Sequence, residues 1–396
     1  GARFAYRSRD MDGYMENLTL GTDEPGRDEE TIRLTVAWDV NPDMDVTLKV
    51  EHSEFDVTGR QIEIVEEEPA AGSGLTYSQI LAVGAGGLFT PQDPSVLNNT
   101  QDFKRSSNGD FSNNTTDNIT LTANYDLGDN VITIIAASNS YDYEELCDCD
   151  FTGANVFSLL SEEDYEQYSF EARITSAVGE TFEYIGGIYY QDSDLEFNDN
   201  FFVDSNSILI NAVNAQQPGA GNLISDIVVP RDFQQDAELW SAFLQVTWNI
   251  ATDWRLTFGG RFSSEDKSAS RVLDVTNIDG SPIVPPALKA GVEAVLAGVF
   301  GFETQNLSGD RTEDNFAPSI TAEWDAAEDL MLYANASQGF KSGGYDVRSN
   351  ATPDSVIITP PGSFEYEEEE ALSFEVGAKT TLLDGAAELN VAVFFT

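Results

Sequence analysis

A single histidine, His52, limits the chemistry open to this 396-residue chain. A Ser-His-Asp relay would have to run through it, and there is no Gly-x-Ser-x-Gly elbow to present a nucleophile. The same count excludes zinc sites built on several histidines. His52 therefore reads as a polar residue near a strand end, and no catalytic residue, metal ligand or cofactor is assigned. The other reactive pair is Cys147-Asp148-Cys149, set in an acidic stretch. Two thiols this close admit a local disulfide of an exported protein, free thiols, or a metal or redox pair. The two-residue ring is cramped, and no second cysteine pair exists to complete a four-thiolate site.

The charge balance narrows the classes further. Sixty-nine acids against 20 bases give a formal charge of −49, which excludes a generic nucleic-acid binder, since phosphate attracts Lys and Arg. Hydrophobic residues make up 41%, too many for a disordered acidic tail. No apolar run reaches the roughly 18 residues of a membrane-crossing helix.

The elements that would carry any site are strands. Trp240, Ala242, Leu244, Val246, Trp248 and Ile250 share one face; Ser241, Gln245, Thr247 and Asn249 share the other, with Phe243 the one intrusion. After the turn Ala251-Thr252-Asp253, residues Trp254, Leu256, Phe258 and Phe262 alternate with Arg255, Thr257 and Arg261. Period two means sheet. Further strands are read over Ala2–Arg9, Thr31–Val40, Met44–Phe55, Asn118–Leu127, Val131–Tyr143, Tyr165–Val178, Thr181–Phe197, Asn315–Trp324, Leu330–Phe340, Ser363–Leu383 and Ala386–Thr396, about thirteen in all. Short helices are expected over Leu75–Phe89 and Ala287–Phe302.

Tight turns alternate with long irregular segments, which are unusual in compact soluble domains. The strand bases Arg33, Lys49, Arg173, Arg255, Arg261, Lys341 and Lys379 keep to the polar parity. Trp38, Trp248, Trp254 and Trp324 lie on the apolar parity beside tight turns, where a membrane interface holds aromatic rings. The fold class is all-β, a transmembrane antiparallel up-and-down β-barrel. Trp38, Leu244, Val246, Leu256, Phe258 and Leu332 should face outward, and Arg255, Arg261, Gln245 and Thr247 should face the concave side.

Four segments carry a family resemblance. Tyr333-Ala334-Asn335-Ala336-Ser337-Gln338-Gly339-Phe340-Lys341-Ser342-Gly343-Gly344-Tyr345 resembles a segment of TonB-dependent outer-membrane receptors. Glu375-Val376-Gly377-Ala378-Lys379 with Leu383-Asp384-Gly385 is similar to a hairpin of that family, and Leu256–Phe262 and Glu183–Tyr190 to its strands. The resemblance implies a 22-stranded barrel around an N-terminal plug. Residues 1–396 would then supply about thirteen strands, a partial barrel domain without its plug or last strands. It implies import of a scarce nutrient across the bacterial outer membrane, a ferric siderophore first among family cargoes, driven by the TonB complex. Outer-membrane lipid, lipopolysaccharide and the ligand would be the partners.

Two other readings share the pattern: a passive porin-like channel, and a secreted all-β adhesin or glycan-binding module. Recognition should fall to loops at 56–115, 198–232, 271–309 and 341–363. Lys341, Tyr345 and Arg348 are the candidate ligand contacts, although Lys341 could equally pair with lumenal carboxylates. The acidic runs Glu66–Glu68, Glu144–Asp150, Glu162–Asp164 and Glu365–Glu370 either steer cationic or metal-bearing ligands, or are solvated, hold divalent ions loosely beside lipopolysaccharide, or reflect life in salt water. The first and last strands should each keep an unpaired edge.

Overall fold

The computed structural model describes residues 1–69, 74–84 and 93–396. Thirteen long strands follow one another as neighbours in one antiparallel sheet, as the alternation predicts. They are β1 (Ala2–Met11), β2 (Gly26–Asn41), β3 (Met44–Thr58), β4 (Phe111–Leu127), β5 (Asn130–Cys147), β6 (Ser158–Ser176) and β7 (Phe182–Val203). Then come β8 (Ile227–Ala251), β9 (Trp254–Leu273), β10 (Gln305–Ala327), β11 (Leu330–Lys341), β12 (Glu369–Leu382) and β13 (Ala387–Phe395). A two-residue strand at Thr276–Asn277 pairs with β8 as a fourteenth. Among the described residues the sheet is not closed: β1 pairs only with β2, and β13 only with β12.

Every tight turn lies at one end of the sheet and every long loop at the other. The turn end includes Pro42-Asp43, Gly128-Asp129, Thr252-Asp253 and Glu328-Asp329. Gly128 takes φ +63°, a conformation that glycine adopts without steric cost. The loop end carries α1 (Tyr77–Gly84), α2 (Ile208–Gln216) and α3 (Pro286–Phe300). The third matches its expected span closely. The first begins two residues into its span, and positions 85–89 lie outside the described residues.

Several strands extend well past their expected ends. β8 starts at Ile227, not Trp240; β10 at Gln305, not Asn315; and β7 runs on to Val203. The cause is an inversion of parity. From Trp240 to Ile250 the apolar residues, Phe243 apart, are even-numbered and mostly exposed, as at Trp240 (50%) and Leu244 (55%). From Ile227 to Leu239 the apolar residues, Val228 apart, are odd: Ile227, Val229, Phe233, Ala237 and Leu239, with Asp236 and Glu238 exposed on the even side. β7 switches in the same way above Tyr190, where Leu195, Phe197, Phe201 and Val203 turn inward while Asp194 and Glu196 stay exposed. Backbone pairing is indifferent to this switch and continues without a register break from Phe182/Trp248 to Val203/Ile227.

The buried core accordingly lies at the loop end. Phe201, Val203, Val229 and Leu273 pack with Ile210 and Val213 of α2 and Val292 and Leu296 of α3. A second cluster joins Phe197, Phe233 and Ala269 to Tyr345 and Phe364. Loops thus fold onto the odd face of these strands, the face of Arg255 and Arg261. The opposite face is left uncovered, with Trp38 62% and Phe258 46% exposed, as expected of a lipid-facing surface. Val246, Leu256 and Leu332 share that face and are half-buried among their neighbours.

All Lys and Arg residues of the thirteen strands lie on the loop-covered parity. Arg255 there bonds Asp325 at 2.6 Å and Glu323 at 3.2 Å, and Arg261 donates to Ser241 Oγ at 2.6 Å. At the turn end the uncovered face carries stacked aromatic pairs on facing strands: Trp254 with Trp324 at 5.3 Å, and Phe182 with Trp248 at 6.0 Å.

Candidate ligand site at the loop end

The parity switch gives the loop-covered face an aromatic wall. Phe201 of β7 contacts Phe157 at 4.9 Å, Phe300 of α3 at 4.8 Å and Phe302 at 5.1 Å between ring centres. Beside this wall, Arg231 of β8 faces Asp199 of β7 in the ladder and bonds it at 2.5 Å; both are buried. Ser161 Oγ donates to the same carboxylate at 2.9 Å, and Arg231 also reaches Asn350. Asp199 and Arg231 thus cancel charge inside the wall, which makes their burial tolerable.

Arg348 is different. Its guanidinium lies 4.9 Å from the Phe197 ring centre, and it has no carboxylate partner among the described residues. With Phe157, Phe201, Phe300, Phe302 and Asn350 it lines one open concavity. An unpaired cation against an apolar aromatic wall suits an anionic ligand with apolar or aromatic surface.

Arg271 holds the loop that presents Arg348. It is fully buried, donates to Asp346 O at 2.5 Å, Ser363 O at 2.8 Å and Gln305 Oε1 at 2.9 Å, and stacks over Phe364 at 5.3 Å. It therefore ties both ends of the 342–368 loop to β9. Burial pushes the Asp346 carboxyl up, but hydrogen bonds from Ser363 and the backbone of Arg348 and Ser349, with the Arg271 charge, outweigh this and hold it below the usual carboxylate range.

Of the three sequence candidates, the structure brings only Arg348 to the concavity. Tyr345 is 4% exposed and packs on Phe364 at 5.0 Å, so its ring supports the loop. Lys341 ends β11 opposite Glu369, exposed and away from the aromatic wall. Arg231, Arg271 and Phe201 were not singled out from sequence; the inverted alternation in 195–203 and 227–233 is the signal that would have found Arg231 and Phe201. A second concavity on the same face includes Arg27 and Arg60, but Arg27 bonds Glu29 at 2.5 Å and Arg60 bonds Glu145.

The remaining candidates resolve simply. Cys147 and Cys149 form a disulfide. His52 lies on the uncovered face, six residues inside the end of β3, with Nδ1 2.8 Å from Asp117. Among the described residues, no three His, Cys, Asp or Glu side chains converge to hold a metal ion.

A meandering antiparallel sheet with an uncovered apolar face, aromatic pairs near its turns and a lined concavity under its loops defines a partial transmembrane β-barrel. The chain belongs to the TonB dependent receptor-like, beta-barrel family, which matches residues 69–396. Among solved structures, the ferric yersiniabactin uptake receptor FyuA from Yersinia pestis aligns with a TM-score of 0.67 at 15% identity, covering 99% of this chain and 49% of that one. The ferric-catecholate import receptor Fiu from K12 E. coli aligns at 0.62 with 13% identity, covering 99% and 53%. The siderophore receptor PiuA from Acinetobacter baumannii gives 0.61 at 12%, covering 99% and 52%. At such identities the likeness is one of fold, and the chain spans about half the length of these relatives.

Proposed function

We propose that residues 1–396 are the central barrel portion of a bacterial outer-membrane receptor that imports a ferric siderophore, with energy from the TonB complex acting through a plug encoded elsewhere in the full receptor. One observation carries this reading: an unpaired Arg348 beside the Phe157–Phe201–Phe300 wall, under the long loops. Ferric siderophore complexes are commonly anionic and often carry aromatic chelating rings, so charge and stacking would act together. Two of the fold relatives, a ferric yersiniabactin uptake receptor and a ferric-catecholate import receptor, support the same reading. The long loops would face the medium and the tight turns the periplasm. The uncovered aromatic face would meet lipid and lipopolysaccharide.

The test uses the full-length receptor in cells and in detergent. Radio-iron-loaded catecholate, phenolate and hydroxamate siderophores serve as probes. Arg348→Ala should weaken the cognate complex about tenfold, the loss of roughly 1.4 kcal/mol expected for one charged contact. Collapse of the proton-motive force should stop uptake while binding persists. Uptake that continues in de-energised cells would instead make the barrel a passive channel. Failure of all three iron complexes to bind would remove the siderophore.

A further inference from the structure

Beyond the concavity, one buried group lacks a counter-charge. Asp148 and Asp150 flank Cys149 at the start of the 148–157 loop, and each is 4% exposed. Asp148 accepts a hydrogen bond from the Asn108 backbone at 2.7 Å; Asp150 Oδ1 accepts from the Thr152 backbone at 2.9 Å and its hydroxyl at 2.5 Å. Asp150 Oδ2 is buried with no hydrogen-bond partner. Among the described residues no base pairs with either carboxylate. Arg105 is engaged with Glu24 and Asp110, and Arg60 with Glu145 and Asp110. Two buried carboxylates thus share one turn with no cation set against them.

The order Asp148-Cys149-Asp150-Phe151-Thr152-Gly153 puts oxygen-bearing side chains at alternate positions and glycine at the sixth, the spacing with which a loop wraps a hard cation. Gly153 admits no side chain, because a Cβ would fall 2.0 Å from Ser95 O. Thr152 Oγ1 lies between Asp150 Oδ1 and Ala154 O, at 2.5 Å and 3.5 Å, so oxygens of three kinds converge. Only two of them are carboxylates, but hydroxyl, carbonyl and water oxygens complete the shell of a hard divalent ion.

We propose that this turn binds one hard divalent cation, Ca²⁺ in preference to Mg²⁺, through Asp148, Asp150, Thr152 and the Ala154 carbonyl. The irregular oxygen set favours the larger ion, because Mg²⁺ demands near-ideal octahedral geometry. With two carboxylates the affinity should fall in the range of extracellular modules, roughly 10⁻⁴–10⁻³ M. The bound ion replaces the missing charge and fastens three segments. Gly153 N donates to Val96 O at 2.7 Å, Asn108 Nδ2 to Ala154 O at 2.9 Å, and the Tyr77 hydroxyl of α1 to Asp150 O at 3.0 Å.

The test strips the full-length receptor with EDTA in detergent and titrates it with CaCl₂, reading calorimetry and protease cutting in 93–110 and 148–157. Wild type should show one saturable site that protects both segments from cutting. Asp150→Asn should weaken that site at least tenfold, and Thr152→Val, which keeps both carboxylates, should weaken it measurably. Asp279→Asn, in an exposed turn far along the chain, should leave it unchanged. Equal Ca²⁺ binding by wild type and Asp150→Asn would overturn the assignment. So would protection of both segments in EDTA, which would mean that a shared proton alone supplies the charge.

Discussion

Replacing Leu244 with arginine isolates the claim that the uncovered face meets lipid. Leu244 is 55% exposed and lies midway between Trp240 and Trp248 on β8. Four residues in either direction, at about 3.4 Å each and a tilt of roughly 40°, place it about 10 Å from each aromatic level. The span between those levels is then about 20 Å, close to the roughly 25 Å apolar band of such barrels. Across the ladder Leu244 faces Gly186 and Gly260, so a longer side chain meets no bulky neighbour directly opposite. Steric cost is therefore small, and the charge decides. An arginine near the midplane should cost about 2–4 kcal/mol, or roughly 30- to 1,000-fold in the folding equilibrium. Gln245→Arg, one residue along and on the opposite face, should cost under about 1 kcal/mol. The measurement is reversible denaturant unfolding of the full-length receptor in lipid vesicles. Equal costs at the two positions, or a larger one at Gln245, would refute the assignment of faces.

Three further outcomes are expected. A double-mutant cycle on Trp254→Ala and Trp324→Ala should give a coupling of about 0.5–1.5 kcal/mol, since the rings stack at 5.3 Å with planes 12° apart. Asp236→Asn should leave stability unchanged or raise it by up to about 1 kcal/mol in the same unfolding assay, because Asp194 stands directly opposite and like charges there repel. Arg271→Met should expose the 342–368 loop to limited proteolysis and weaken ligand binding without unfolding the barrel, since the lost hydrogen bonds to Asp346 O and Ser363 O are those that hold that loop.

The alternation at 240–262 made the sheet legible because one face of those strands meets neither water nor core, and the residue types must obey that. Strand number, turn positions and the parity of Arg33, Lys49, Arg173, Arg255, Arg261, Lys341 and Lys379 followed from the same constraint. Above Trp240 and Tyr190 the constraint reverses: the exposed side meets water and the covered side meets loops. Phe201, Val203, Val229 and Phe233 then obey period two on the other parity, and a reading tuned to one parity takes them for loop. The site was less legible for a related reason. Arg348 stands out as a base after a glycine pair, but its partners come from four separate segments, and only folding brings Phe157, Phe201, Phe300 and Asn350 together. Tyr345 carries the same local signal as Arg348, yet burial against Phe364 gives it a supporting role.

The parity switch also sets a waterline. Tyr190 and Trp240 face each other in the ladder, and one step above them stand Asp192, Glu238 and, on the next strand, Asp266, all at one level on the outer parity. Sinking the barrel by a single residue pair would push that acidic tier into hydrocarbon; raising it by the same step would lift the tryptophans off their interface and draw the polar turns inward. Both displacements are uphill, so the depth of immersion is fixed from above by charge and from below by aromatic rings. A loop could be lengthened or exchanged for another without the barrel floating higher or lower.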